Sequence, residues 1–464
     1  MTIPTLAEAA ALIAAKKLSP VELTKACLDR MARMNGDLHA FILPTQERAL
    51  ADAKAAEAAI MKDGPRGPLH GIPMGLKDIV DTAGIPTTCQ SRLLAGNVPD
   101  ADATCAAKLA AAGTVLMGKL TTHEFADGGP SFDLPEPPAR NPWNTDHFTA
   151  GSSSGTGAAV ASGMILCGIG TDTGGSIRGP AALCGIAGMK PTYGLVSRAG
   201  VAPAAFSLDT IGPMAWTAAD CALMLQALAG HDPKDPASAD RPVPNFSGLL
   251  GRGLKGMRIG VIRHFHEVDA PASAAVLAGI DNAIVAFRDM GAAISDVTLS
   301  PLQDWHACGS LISMTERAAA YEEWARTRLG EFSERVQRRL MLGALVSGVD
   351  YVQAVRRRRE LRDELRTAMA GLDVVLTTSA LGEAPKMDAI PRWDVFDKPS
   401  ITIPFNVAGY PAMSVCSGFA PTGLPVSLQI VGKPFQEPTV FCVADAFEKA
   451  TSFRTQRPAM VDMG

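Results

Sequence analysis

The chain has 464 residues, 47% of them hydrophobic and 19% charged, with a net charge of −4. This composition supports a large packed core and excludes disorder, and a slightly acidic chain gives no electrostatic basis for a nucleic-acid partner. No apolar run reaches about 18 residues, so no membrane span is expected, and the nine cysteines, odd in number and without a CxxC pair, read as reduced buried thiols of a cytoplasmic protein.

From the N-terminus, Thr5 and Glu8 form a capping box, and Ser19, Pro20 and Glu22 open a second helix in the same way. The first run lacks a positive n-region and a cleavage site, so no signal peptide is expected. The Ala-rich stretch 45–62 reads as a third helix, which makes residues 1–65 a helical segment packed on the body. The pattern then changes. IPMGLKDIV (72–80), TVLMGKL (114–120) and MILCGIGTD (164–172) are short apolar runs bounded by Gly or Pro. MRIGVI (257–262), DVVLTTS (373–379), PAMSVCSGF (411–419) and VSLQIVG (426–432) follow the same pattern. They read as strands buried on both faces and separated by helices, the rhythm of an α/β sheet. Two proline-rich stretches, 127–148 and 231–244, read as surface loops; the first leads into a serine-rich stretch and is placed to wall a pocket. The residues PWNTDHFTA at its end are too polar to read as a strand. Arg356–Arg359 and the charges after them read as a solvated helix face. His264 and His266 lack a third ligand at metal spacing, so no metal or other cofactor is expected.

The stretch TAGSSSGTGAAVASGMILCGIGTDTGGSIRGPA (149–181) carries the chemistry. Its first serines can simply cap a helix. They also match G-x-S-x-G formally, with Ser153 as nucleophile, but that motif needs a strand directly before it and a His later in the chain. A third reading places the nucleophile at Ser176, behind Thr173, Gly174 and Gly175. The glycines allow a tight turn that aims consecutive N–H groups into one concavity, suited to the negative oxygen of a tetrahedral intermediate. No histidine is near, so a base must be a lysine or a carboxylate. Lys77, inside an apolar strand, is the candidate: burial depresses a lysine's pKa, and a neutral amine is a competent base near pH 7.

GIPMGLKD (71–78), RNPWN (140–144), AGSSSGTGAAVASG (150–163), GTDTGGSIRGPAALCGIAGMKPTYGLVSR (170–198), SLDTIGP (207–213) and GLPVSLQIVGKPF (423–435) together resemble the amidase signature family over nearly the whole chain. The resemblance implies one α/β domain over 1–464, with a large mixed central sheet flanked by helices on both faces. It implies a core carrying the motifs at 66–220, and substrate-pocket or variable regions at 127–148 and 300–400. It implies a Ser–cis-Ser–Lys triad, with Ser176 as nucleophile, Ser152 as the bridging serine after a cis Gly151–Ser152 peptide, and Lys77 as base. The oxyanion donors would be the N–H groups of Thr173, Gly174, Gly175 and Ser176, with Ser153, Asp172 and Arg178 in support. Ser154 stands where the family usually has a glycine, a tolerable departure.

The family's substrates include amides, aryl amides, carbamates and fatty amides; one member class is the glutamine-hydrolysing subunit of a tRNA-dependent amidotransferase. That subunit usually carries an acidic residue just before its T-x-P-x-N segment, to hold the glutamine amino group. Here Lys398, Pro399, Ser400 and Ile401 precede Thr402, and the nearest carboxylate, Asp397, stands further upstream. The expectation is therefore a stand-alone hydrolase of small or medium amides, with esters and carbamates as further candidates. Phe132 and Leu134 are candidates to line an apolar acyl or aryl pocket. Homodimers are frequent in the family.

Overall fold

The computed structural model describes residues 3–391 and 399–461; Asp397 and Lys398 lie outside the described residues. Thirteen strands are present among them: β1 (Phe41–Pro44), β2 (Pro73–Lys77), β3 (Val115–Leu120), β4 (Arg140–Asn141), β5 (Asn144–Phe148), β6 (Cys167–Asp172) and β7 (Ala187–Lys190), then β8 (Thr210–Ala215), β9 (Arg258–Val261), β10 (Ala293–Asp296), β11 (Val374–Thr377), β12 (Ala412–Phe419) and β13 (Pro425–Gly432). Eleven of them form one sheet in the order β1-β3-β2-β6-β8-β7-β12-β13-β11-β9-β10. The sheet is mixed: β2 runs parallel to both β3 and β6, whereas β6, β8, β7, β12 and β13 alternate in direction.

Fourteen α-helices among the described residues flank it. The first seven are α1 (Leu6–Ala14), α2 (Pro20–Leu38), α3 (Gln46–Asp63), α4 (Thr104–Ala111), α5 (Ser154–Ala161), α6 (Arg178–Leu183) and α7 (Ala218–Leu228). The others are α8 (Ala274–Asp289), α9 (Leu302–Ala320), α10 (Glu322–Thr327), α11 (Glu334–Leu345), α12 (Gly348–Ala368), α13 (Ile403–Ala408) and α14 (Glu437–Ala450). Both expected capping boxes are formed, at Thr5/Glu8 and Ser19/Glu22. None of the described helices is long and apolar enough to cross a membrane, and all nine cysteines are buried free thiols.

The strands are apolar on both sides because both sides are covered. Along β3, Leu116 packs with Met74, Leu76 and Ile169 under α4 and α7. Its neighbours Val115 and Met117 turn the other way, onto Met31 and Met34 of α2 and Ala49 and Ala53 of α3. Successive residues of a strand point to opposite faces, so such a strand reads as an unbroken apolar run. A third cluster joins α9, α12 and α13 through Trp305, Ile312, Leu361 and Phe405 to Val375 and Val431 of the sheet.

Two differences from the sequence reading have physical causes. Asn144–Phe148 is a strand after all, paired only with Arg140–Asn141 in a small hairpin apart from the main sheet. Backbone pairing needs no apolar side chains, so a polar hairpin carries no periodic signal. Conversely, β7 (AGMK) and β8 (TIGPMA) are fully buried central strands whose Gly, Pro and Lys interrupt the run that would announce them.

Candidate active site

Because β2 and β6 run parallel in register, with Met74 opposite Cys167 and Leu76 opposite Ile169, their C-terminal residues Lys77 and Asp172 emerge at the same edge of the sheet. The carboxyl edge of parallel strands is where α/β sheets place their ligands. Lys77 is fully buried. Its ammonium has two acceptors, Ser152 Oγ at 2.7 Å and Thr171 Oγ1 at 2.8 Å. Burial pushes its pKa down to about 7, against the opposing pull of Asp172 and Asp209.

Ser152 enters through a cis peptide from Gly151. Its carbonyl accepts from the backbone N–H of His123 (3.1 Å) and the Thr122 hydroxyl (3.0 Å). There is no room for a side chain at Gly151, since a Cβ there would overlap the His123 ring. Ser153 is spent inside the protein: its hydroxyl donates to the Thr171 carbonyl at 3.3 Å and accepts the Thr171 N–H at 3.2 Å. Its own N–H donates to the Ser176 carbonyl at 3.3 Å. Ser176 differs. Its side chain is partly exposed, makes no hydrogen bond to any described residue, and lines a cavity of about 280 Å³.

Asp172 and Arg178 build the loop that carries Ser176. The Asp172 carboxylate accepts from the N–H groups of Gly175 (2.8 Å), Ile177 (3.2 Å) and Arg178 (3.4 Å), from Arg178 Nε (3.0 Å) and Nη2 (2.8 Å), and from Asn406 Nδ2 (2.8 Å). Burial alone would raise its pKa, but the Arg178 guanidinium overrides that and holds it well below the usual carboxylate range. Arg178 Nη1 donates in turn to the Thr402 carbonyl and Gln429 Oε1, both at 2.7 Å, and Nη2 to Asn406 Oδ1 at 2.5 Å. This arrangement amends one expectation. The Gly175 N–H is already taken by Asp172, which leaves the amides of Thr173, Gly174 and Ser176 without an acceptor among the described residues.

Gly175 has a φ of +134°, and a Cβ there would overlap Thr402 Oγ1. Gly175→Ala is expected to destabilise the fold by about 1–3 kcal/mol through backbone strain, read as a lowered denaturation midpoint.

Residues from the two regions expected to shape a pocket, 127–148 and 300–400, and from the Thr402 segment complete the cavity. Gly128 comes from the first proline-rich stretch; His306, Ser310, Ser313, Met314 and Arg317 come from α9, Arg339 from α11, and Ser400, Thr402 and Ile403 from the segment leading into α13. Behind this wall Asp127 is buried among three guanidinium groups: Arg339 Nη1 at 2.7 Å, Arg317 Nε at 3.6 Å and Arg335 Nε at 3.8 Å. Burial would raise its pKa; the three arginines together lower it. Of these, Arg317 and Arg339 line the cavity. None of the described lining residues is acidic. Phe132 and Leu134 are not among the lining residues. Phe132 is 55% exposed and lines a separate surface recess with Pro130, Asp133 and Ile390.

The amidase family model matches residues 22–441, and the chain belongs to the amidase signature family, enzymes acting on C–N bonds. Two comparisons show its range. The chain is 40% identical to the A subunit of the glutamyl-tRNA(Gln) amidotransferase of Chloroflexus aggregans over 98% of both chains, and 39% identical to that of Moorella thermoacetica over 96% of both. Among solved structures, the peptide amidase of Stenotrophomonas maltophilia superposes with a TM-score of 0.86 at 32% identity, covering 98% of each chain. A protein described in a complex at the origin of an s-triazine catabolic enzyme gives 0.90 at 29% identity, covering 96% of this chain and 98% of its own.

Proposed function

We propose that this chain hydrolyses the C–N bond of a small amide that carries a carboxylate, through an acyl-enzyme on Ser176. One observation supports the substrate class above the rest: the cavity holding the Ser176 hydroxyl is lined by Arg317 and Arg339, with no acidic residue among its described lining. Guanidinium forks suit carboxylates geometrically.

In the mechanism, neutral Lys77 takes the proton of Ser152 across their 2.7 Å hydrogen bond. Ser152 takes the proton of Ser176 when bound substrate draws the two hydroxyls together, as catalytic hydrogen bonds often tighten only in the complex. Ser176 Oγ attacks the carbonyl carbon, and the oxyanion is held by the amides of Thr173, Gly174 and Ser176. The protons then return along the same path to the leaving nitrogen, whose bond to carbon breaks. Water, deprotonated by the same relay, releases the acid.

The names of the relatives favour glutamine as the amide, with the chain acting in an amidotransferase beside partner chains. That reading fits the carboxylate half of glutamine and stands against the expectation of a stand-alone hydrolase with no nucleic-acid partner. A second reading, an amide acid lacking an α-amino group, is favoured by the sequence Lys398-Pro399-Ser400-Ile401 before Thr402, which has no carboxylate where the amidotransferase subunit usually carries one. Hydrolysis of glutamine, a dicarboxylic acid monoamide, a neutral aryl amide, a carbamate and an ester would be compared by measuring released ammonia, amine or alcohol. The proposal expects the two carboxylate-bearing amides to lead; a preference for neutral amides or esters would overturn it. Arg339→Met is expected to raise KM for the favoured amide about 10- to 100-fold, the loss of one charge-assisted pair. KM for neutral substrates should stay nearly unchanged.

A further inference from the structure

We infer that His306 is a positioning residue for the oxyanion loop, acting through Ser400; the inference rests on the reading of Ser176 as nucleophile. His306 stands in the second turn of α9, on the face that also brings Ser310, Ser313 and Arg317 to the cavity, at i+4, i+7 and i+11. Its Nδ1 accepts the Ser400 N–H at 3.2 Å. The proton must therefore sit on Nε2, 3.5 Å from Ser310 Oγ. Burial, aided by the nearby Arg339, lowers the pKa of the ring and keeps that acceptor lone pair available at neutral pH.

Ser400 passes the constraint on. Its hydroxyl donates to the Gly174 carbonyl at 3.4 Å and lies 3.0 Å from Thr402 Oγ1, which donates to the same carbonyl at 2.6 Å. The Gly174 carbonyl and the Gly175 N–H belong to one peptide plane. Ser400 and Thr402 fix one side of that plane, and Asp172 fixes the other. With the plane pinned, the amides before and after it, of Gly174 and Ser176, are held toward the cavity. The segment 400–402 is itself anchored at both ends: Arg178 holds the Thr402 carbonyl and His306 holds the Ser400 N–H. Without the imidazole, the Ser400 end loses its anchor and the oxyanion amides lose their aim.

A fluorophosphonate probe tests this without knowledge of the substrate, because phosphonylation of a serine uses the same oxyanion donors. His306→Ala is expected to slow labelling about 10- to 100-fold, the scale of a displacement of about an ångström in a reacting geometry. His306→Asn should stay within about threefold of wild type, since Oδ1 of asparagine can accept the Ser400 N–H where Nδ1 did. A merely space-filling role would not be rescued in this way. Wild-type labelling by His306→Ala, or a His306→Asn variant as slow as the alanine, overturns the inference. Labelling that persists in Ser176→Ala instead overturns the nucleophile, and with it both readings; the control variant tells the two failures apart.

Discussion

Ser176→Ala is expected to give a protein as stable as wild type with amide hydrolysis reduced about 10⁴- to 10⁶-fold, the loss seen when a nucleophile acting in a concerted unit is removed. The structure separates the two effects cleanly. The Ser176 hydroxyl holds nothing together among the described residues, so its deletion breaks no internal hydrogen bond. Lys77→Met should cost comparable activity, and the double variant little more than either single one, because base and nucleophile work as one unit. The pH profile carries the sign of the argument. The proposed relay needs neutral Lys77, whose pKa burial brings down to about 7. kcat/KM should therefore climb with pH through about 7 and level off above it. The same shift opposes folding. Between about 7 and the ordinary lysine value of 10.5 the unfolded chain binds a proton that the folded one does not, so the contribution of Lys77 to stability improves as pH rises through that window. A kcat/KM flat from pH 5 to 9, measured on the substrate that Ser176→Ala fails to turn over, would remove Lys77 from the mechanism.

Asp172→Asn is expected to carry the largest penalty in stability. It leaves the guanidinium of Arg178 fully buried without its counter-ion, a defect that costs about 3–5 kcal/mol in comparable buried pairs. The whole constellation is fully buried, at 0% exposure for both side chains, so solvent cannot screen the loss. Chemical denaturation of the variant reads it directly. Activity measured where the variant remains folded should fall as well, because the carboxylate also holds the Gly175, Ile177 and Arg178 amides. The residual rate carries a further signature. Asp172 is the main charge that props up the pKa of Lys77, so without it the acid limb of the pH profile should move to lower pH. An unchanged limb would mean that Asp172 acts through the loop alone.

The sheet was legible, as were the residues that meet at its edge, Lys77 and Ser152, because each announces itself locally. Seven apolar runs bounded by Gly or Pro became strands, since burial on both faces leaves an uninterrupted apolar stretch. Lys77 stood out as a charge inside such a run, and Ser176 as a serine behind paired glycines. On the substrate side the regions were named, 127–148 and 300–400, but not the side chains within them, for the opposite reason. Asp127, Arg317 and Arg339 lie on three separate elements and meet only through the packing of α9 and α11 against the loop after β3. No spacing in the chain marks that meeting. His306 is equally silent, because a lone histidine within a helix takes its meaning from Ser400, 94 residues away. Phe132 misled because an aromatic beside prolines looks like a pocket wall, whereas here it faces outward.

Arg178 bonds within one side chain to Asp172, Thr402, Asn406 and Gln429, the last of these on β13. During synthesis the nucleophile, the bridging serine and the lysine all leave the ribosome long before Gln429 does. The loop that carries Ser176 has its local bonds to Asp172 early, but the Thr402, Asn406 and Gln429 partners of Arg178 come only with the closing segments. The outer bracing of a loop near the middle of the chain thus depends on residues that are synthesised last.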